Sequence, residues 1–589
     1  MTTLTEVTRK SRWAWKLWRP GPLWLALPGI VFLLLFLIIP SLKIFMLSVV
    51  NNQGQFSLAG FERFFTHGVY QRVLMNTFDI AFWTTVFSLL LGYPLAYWLS
   101  NLPERAQKIL SLLILLAFWS STLVKNFTWL ILLARNGVVA HLLSALGFSG
   151  DSLLFNRGVV IFAMVHTLLP LGVVTLLPVM NQIDRNLQKA AATLGADRAH
   201  TFWRVYFTLS MRGVAAAGLL IFISSLGFFI TPTFLGSPRE MMLGQMIILQ
   251  INQLQNWQLG CALAVILVLA AIINCIIYDL IFGLSSLAGG SNRNVSFHHR
   301  ILRRLGLGLI SVLACCSAVL DKLYQRGPGR WLKMSLLSAF CWVLIALLVL
   351  PVLAVIPISF TDSNFLSFPP HGFSLKWYQV YFDSPLWMGA TLRSFMIGLA
   401  VALVSTVIAG MAAFSISRSD SRASGLVFLL FILPMIIPAI VIAIVLFYLC
   451  AQIGLVATDL GIAIGHIVIA LPMVFVILLT TFRGHDWRLD QAAATLGANK
   501  RQVLWRVTLP SIKAGLAAAL VIGFLNSFEE LTIALFIGGG LKTTLPKQMW
   551  DDILLQITPT LAAASTVVLL VVGLFFVLLQ WARPGVRPA

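Results

Sequence analysis

The chain has 589 residues, of which 59% are hydrophobic and only 10% charged, and its mean hydropathy is +0.92. A water-soluble protein carries about 25% charged residues, so long apolar runs here read as membrane spans rather than soluble cores. The formal net charge of +21 points to basic loops held on the inner side of a membrane, and with no basic soluble domain to carry it, a nucleic-acid partner is excluded.

In chain order, Arg9, Lys10, Arg12, Lys16 and Arg19 precede an apolar run that starts near Leu23. The run is too long for a signal peptide and continues through Pro40 into Lys43 without a small-residue cleavage site. It reads as an uncleaved first span whose N-terminus stays inside. About 20 apolar residues cross the hydrocarbon layer at ~1.5 Å each. On that measure the first half has spans near 24–48, 73–100, 108–134, 158–181, 212–235 and 257–283. The second half has them near 334–360, 391–416, 425–450, 460–481, 514–538 and 557–582. The expected fold is an all-α polytopic membrane protein of twelve transmembrane helices. The expected organisation is an N-terminal segment 1–22, a first six-helix domain 23–284, a basic linker 285–333, a second six-helix domain 334–583 and a tail 584–589.

Charge placement supports this topology. Alternate segments hold Arg105 and Lys108, then Arg185, Lys189, Arg198 and Arg204, then the linker with Arg293, Arg300, Arg303 and Arg304. Further on come Arg418, Arg422, Arg483, Arg488, Lys500, Arg501 and Arg506. The intervening segments mix signs, as at Glu62–Arg63 and Arg239–Glu240. Basic residues on one side predict both termini in the cytoplasm of a bacterial cell, the chain crossing the inner membrane many times. Residues 306–320 are apolar but short and flanked by basic residues, so they are expected to lie on the membrane surface. The cysteines form no CxxC or Cys/His spacing and read as small hydrophobes in helices, with no metal site.

The most specific signal is an internal repeat. Residues 190–196 and 492–498 both read AAATLGA, and Trp203-Arg204-Val205 answers Trp505-Arg506-Val507 at the same offset of 302. Pro170 and Pro472 extend the match upstream, and Asn76-Thr77-Phe78 corresponds weakly to Arg393-Ser394-Phe395. Both copies have one inferred orientation, as in a parallel duplication about an axis along the membrane normal. The repeated segment lies in a water-facing loop, where sequences ordinarily vary, so retention of its chemistry points to a shared partner. Its alanines favour helix and add little bulk, and Gly195 and Gly497 permit a turn and a close approach. Lys189 and Arg198 flank the first copy, and Asp490, Gln491, Lys500 and Arg501 the second. Such a helix suits docking. It carries no nucleophile–base pair for catalysis.

These segments resemble the EAA loop of ATP-binding-cassette importer permeases, in which Glu-Ala-Ala and a glycine four residues later form a coupling helix. Here the positions are Lys189, Ala190, Ala191 and Gly195, then Gln491, Ala492, Ala493 and Gly497, so both copies lack the Glu. The first half is similar to one permease of the spermidine/putrescine type through 118–125 (FWSSTLVK), the second to its partner through 372–378 (GFSLKWY) and 527–532 (SFEELT). The resemblance implies two fused six-helix permease domains, two cytoplasmic ATPase subunits on the coupling loops, and an external solute-binding protein. No G-x-x-x-x-G-K-[ST] loop occurs in the chain. It is therefore expected to be no enzyme and to bind no cofactor, with ATP-Mg hydrolysed in the partner.

Charged residues inside spans are costly and merit a functional reading. Glu529 and Glu530 fall midway along the eleventh span, where they would attract a cationic substrate or pair with Lys125 or with backbone. On a continuous helix they point about 100° apart, so one at most faces a central pathway. Lys125 and Asp79 are expected near the outer interface, where snorkelling is cheap. Trp119, Trp129 and Phe528 would line a pathway and contact an amine. His166 and His466 read as packing groups, and Pro434 with Pro438 as a kink. The leading function is an importer permease for a small polar solute, a polyamine-like amine above all. The alternatives are an ion-coupled secondary transporter of six-plus-six topology or, within the same class, a permease for an aminophosphonate, an opine or ferric iron.

Overall fold

A computed structural model of the chain describes residues 23–50, 53–135, 137–145, 147, 153–282, 329–364, 366, 368–370, 372–419, 421, 423–539 and 542–582. The terminal segments 1–22 and 584–589, nearly all of the linker 285–333, and the expected surface helix 306–320 lie outside the described residues.

Among the described residues, eight helices are long and apolar enough to cross a membrane, and three bent pairs raise the number to eleven. The helix Thr560–Ala582 occupies the place of the twelfth predicted span. Glu104–Trp119 and Thr122–Leu132 meet at 88°, Ala423–Ile436 and Ala439–Gln452 at 99°, and Lys500–Ser511 and Lys513–Phe528 at 73°. The second bend is the kink read from Pro434 and Pro438, since a residue before proline avoids the helical region. The first has no proline. Ser120 and Ser121 take extended backbone angles there, with ψ 140° and 132°.

The duplication is drawn more sharply in the backbone than in the sequence. Gly68–Ser100 answers Pro385–Ser417, and both are 33 residues long. Thr122 and Ala439, each opening the helix after a sharp bend, share that offset of 317. Beyond them the offset becomes 302: Arg157–Asn181 answers Asp459–Arg483, and Ile230–Leu235 answers Thr532–Ile537. The change in offset reflects a longer connection in the first half, which includes the short helix Val138–Ala145. One hydrogen bond recurs in each half. The amide of Leu243 donates to Thr77 Oγ1, and the amide of Leu545 donates to Ser394 Oγ, both at 2.8 Å. An ion pair recurs with its sense reversed. Asp79 pairs with Arg157 in the first half, and Arg393 with Asp459 at 2.9 Å in the second. Both join the second helix of a half to the start of its fourth span.

The halves 23–284 and 334–583 are the repeating units of sequence, but the compact units are composed differently. One unit gathers residues up to Gly60, Asn256–Ala262 and everything from Leu375 onward. The other gathers Phe61–Gln255 and Leu263–Ser374. In the first unit, Leu23–Ser48 packs on the helices of the second half. Gly29 makes this possible, because a Cβ there would stand 2.3 Å from the ring of Phe431. Lys43 Nζ donates to Gln452 Oε1 at 3.0 Å near the other end of the span. In the second unit, Gly329–Ser359 packs on the helices of the first half. There Trp342 meets Trp98 edge-on with centroids 6.0 Å apart, and Cys341 is fully buried. Cys261 and Cys450 are buried as well. Cys315 and Cys316 lie outside the described residues.

Candidate functional site

The two repeated loops fold into the same device. Asp184 and Asp486 cap their helices by accepting the amides of Asn186 and Arg488. Such a cap satisfies an amide that the first turn otherwise leaves unpaired. The helices Arg185–Thr193 and Trp487–Thr495 follow, nine residues each. Each closes on a glycine with positive φ, +83° at Gly195 and +92° at Gly497. The amide of Ala196 donates to Ala191 O at 3.0 Å and that of Ala498 to Ala493 O at 3.1 Å, so the closing turn is the same. A Cβ at either glycine would meet nothing within 4 Å. The backbone angle, not crowding inside this chain, therefore sets the need for glycine. Asp197 and Asn499 then cap the next helix through the amides of His200 and Gln502.

The surface of each loop helix is bare. No residue of Arg185–Thr193 is buried, and Lys189, Ala190, Gln491 and Ala492 are exposed, with Ala191 and Ala493 half-buried. Leu194 is 87% exposed and Leu496 88%. Leu187 and Leu489, seven positions earlier, are exposed too, and a seven-residue step returns to the same helix face. An apolar stripe over small alanines, left open to water, fits a partner's groove better than solvent.

Beneath this shared surface the two copies are anchored by different chemistry. Asp490 was read from sequence as a flank of the docking face, but it is buried, 2% exposed, and turns inward. His485 Nε2 donates to its Oδ1 and Thr508 Oγ1 to its Oδ2, each at 2.9 Å. Arg418 stacks over the rings of Trp487 and Phe414 at 4.9 and 5.4 Å. In the first copy Gln188, Ile183 and Tyr206 stand where Asp490, His485 and Thr508 stand in the second. There Arg185 donates to Ser100 O at 2.7 Å, and Tyr97, Phe202 and Tyr206 pack edge-on and stacked. Sequence reading missed Asp490 because loop acids are ordinarily solvated. The buried pairing depends on His485 and Thr508, which the linear repeat does not mark. Trp203-Arg204-Val205 and Trp505-Arg506-Val507 both lie in π-helical turns, Thr201–Phe207 and Leu504–Thr508, that carry each loop into its fifth or eleventh span.

The acidic pair is not on a continuous helix. The helix Lys513–Phe528 ends before it, Glu529 is the C-terminal cap residue, and a new helix begins at Thr532. The same break falls at Gly227–Phe229 in the first half. The 100° argument therefore does not apply. Glu530 is buried and accepts the amide of Ile533 at 2.8 Å. It lies 3.4 Å from His466 Nε2, while His466 Nδ1 is 2.7 Å from Ser527 Oγ. Backbone capping is thus its evident role, and Glu529 beside it is half-buried. Phe528 is buried and stacks on Phe524 at 5.3 Å.

Lys125 does not snorkel: it is 1% exposed, and Nζ donates to Phe118 O at 3.4 Å across the bend. Trp119 is buried beside Phe118. Trp129 packs edge-on to Phe162 and His166, and His166 Nε2 is 3.2 Å from Leu347 O. Both histidines are buried and within hydrogen-bond distance of a partner. Asp79 is partly exposed in its ion pair with Arg157. Within each unit, then, aromatic and charged side chains cluster at the breaks of spans, where irregular backbone is tolerated only against protein or a cavity.

Residues 56–286 and 405–588 each match the family described as binding-protein-dependent transport system inner membrane component. The spermidine/putrescine transport system permease protein PotB of Salmonella typhimurium is 29% identical over 254 residues, covering 42% of this chain and 88% of that protein. PotB of Escherichia coli is 28% identical, covering 42% and 92%. The corresponding PotC of Haemophilus influenzae is 26% identical over 253 residues, covering 42% and 96%. A chain in the crystal structure of a bacterial alginate ABC transporter, solved with an alginate pentasaccharide-bound periplasmic protein, aligns with 18% identity and a TM-score of 0.39 over 47% of this chain and 96% of that one.

Proposed function

The chain belongs to the family of binding-protein-dependent transport system inner membrane components, matched once in each half, and we propose that it couples two separate ATPase subunits to the import of a polyamine-like amine. It is the permease component of an ATP-binding-cassette importer, with both permease units in one polypeptide.

The observation that carries the coupling is the paired loop helix. Two copies at one offset share caps, length, closing glycine and a bare leucine–alanine face. One kind of partner bound twice accounts for that retention. A secondary transporter driven by an ion gradient has no use for it. In this reading Lys189, Ala190, Ala191 and Gly195, with Gln491, Ala492, Ala493 and Gly497, form the two seats. Closure of the ATPases moves the seats as rigid bodies, and the π-helical turns pass the motion into the fifth and eleventh spans. A solute-binding protein outside the membrane delivers the substrate, and ATP-Mg is bound and hydrolysed in the partner.

The permeases named for spermidine and putrescine support an amine as the substrate. Glu529, partly exposed at the break of its span, supplies the attraction. Glu530 holds the break in shape. The test is purification from the native membrane with a search for a co-purifying ATPase, followed by uptake of labelled spermidine. Co-purification and ATP-dependent uptake are expected. Absence of an ATPase, with uptake that survives ATP depletion and collapses with the ion gradient, refutes the reading.

A further inference from the structure

Within the unit that contains the second loop, a cavity of about 620 Å³ lies among the helices. Its wall along Pro385–Ser417 is formed by Thr406, Gly410 and Phe414, and it ends at Arg418. These positions are four residues apart and so lie on one helix face. Leu478 of the tenth span and Leu516 of the eleventh also line it. From Thr406 to Arg418 the helix rises roughly 18 Å, close to one leaflet of a hydrocarbon layer about 30 Å thick.

The two ends differ in chemistry. Away from the loop helix the lining is apolar apart from Thr406. The end beside the loop helix holds Arg418, Lys500 and Asp490, with Trp24 and Leu25 from the start of the first span. Both oxygens of Asp490 accept hydrogen bonds, from His485 and Thr508, and Arg418 stands 4.9 and 5.4 Å from the centroids of the Trp487 and Phe414 rings. Lys500 is exposed at the rim, and Trp24 is 60% exposed, as an aromatic at the headgroup level is. An apolar slot one leaflet deep with a cationic rim matches a particular amphiphile.

We propose that this cavity holds an anionic glycerophospholipid from the leaflet that faces the loop helices. One acyl chain lies along Gly410 toward Leu516, and the phosphate sits at Lys500. In the first copy Arg198 answers Lys500, whereas Asn101 and Gln188 stand where Arg418 and Asp490 stand in the second.

The experiment is native mass spectrometry of the full chain released from nanodiscs of phosphatidylglycerol mixed equally with phosphatidylcholine. The protein is expected to retain phosphatidylglycerol selectively. Gly410→Phe fills the slot and is expected to cut retention about tenfold. Leu516→Phe narrows it from the facing helix and acts in the same direction. Lys500→Gln is expected to lower the preference for phosphatidylglycerol about fivefold. Gly389→Phe, on the same helix in open space, leaves retention unchanged. A wild-type chain that retains no lipid, or retains both lipids equally, overturns the proposal whatever the variants do. So does a folded Gly410→Phe chain that retains as much as wild type, a result that would assign the lipid to another surface.

Discussion

Thr508 Oγ1 donates a 2.9 Å hydrogen bond to Asp490 Oδ2 and so ties the second loop helix to the π-helical turn at the head of the eleventh span. His485 holds the other carboxylate oxygen. The carboxylate is thus the joint between the docking face and the membrane helix.

Asp490→Ala removes the joint and leaves Thr508 and His485 without their acceptor. Hydrogen bonds to a charged group contribute about 1.5–3 kcal/mol each. Amide exchange across 487–495 is expected to rise by at least about tenfold, and ATP-driven uptake to fall while the ATPase stays bound. Gln188→Ala in the first copy should do neither. Equal exchange in wild type and Asp490→Ala would show that the joint is not needed.

Leu194→Glu and Leu496→Glu alter side chains that are 87% and 88% exposed. Thermal stability should move by less than about 0.5 kcal/mol equivalent, yet the ATPase should no longer co-purify with the double variant. Gly195→Trp or Gly497→Trp acts differently: a side chain at positive φ costs about 1–2 kcal/mol and reshapes the turn. Uptake is expected to uncouple from ATP hydrolysis while membrane insertion stays intact. Normal ATP-driven uptake in both glycine variants would refute the docking role.

Gly29→Leu drives a side chain into the ring of Phe431, where a Cβ alone would stand 2.3 Å away. Overpacking of this kind costs about 1–3 kcal/mol. The melting temperature in detergent should fall, and Phe431→Ala should restore part of the loss by opening space. Additive loss in the double variant would count against this contact.

Glu529→Gln and Glu530→Ala should separate two roles. Glu529→Gln removes charge from the amine path and is expected to raise the KM for spermidine several-fold, about 1 kcal/mol, with little change in stability. Glu530→Ala removes the acceptor of the Ile533 amide, a loss of about 1–2 kcal/mol, and should lower stability first. If Glu530→Ala raises KM with stability unchanged, the two assignments are reversed.

Hydropathy and the repeat made the helical fold, the duplication and the two loops legible. AAATLGA marked a turn at both glycines, and each takes positive φ there. The breaks at Ser120–Ser121 and at Glu529–Leu531 were not legible, since both lie in runs apolar enough to continue as helix. Pro438 marked the equivalent break in the second half, where proline leaves a local signature. The burial of Asp490 and Lys125 was hidden for another reason. Each depends on groups brought in by the fold, and linear spacing carries no trace of them. The exchange of first spans between halves was equally invisible, because a hydrophobic stretch does not name the surface it will cover.

That exchange sets an order of events during synthesis. Leu23–Ser48 enters the membrane early, but the helices it packs on begin at Pro385. At about 5–20 residues per second the ribosome needs on the order of twenty seconds to a minute to supply them. For that interval the first helix stands in lipid with Gly29 uncovered, a waiting partner for a surface not yet made. Holding both halves on one polypeptide ensures that the surface arrives beside it.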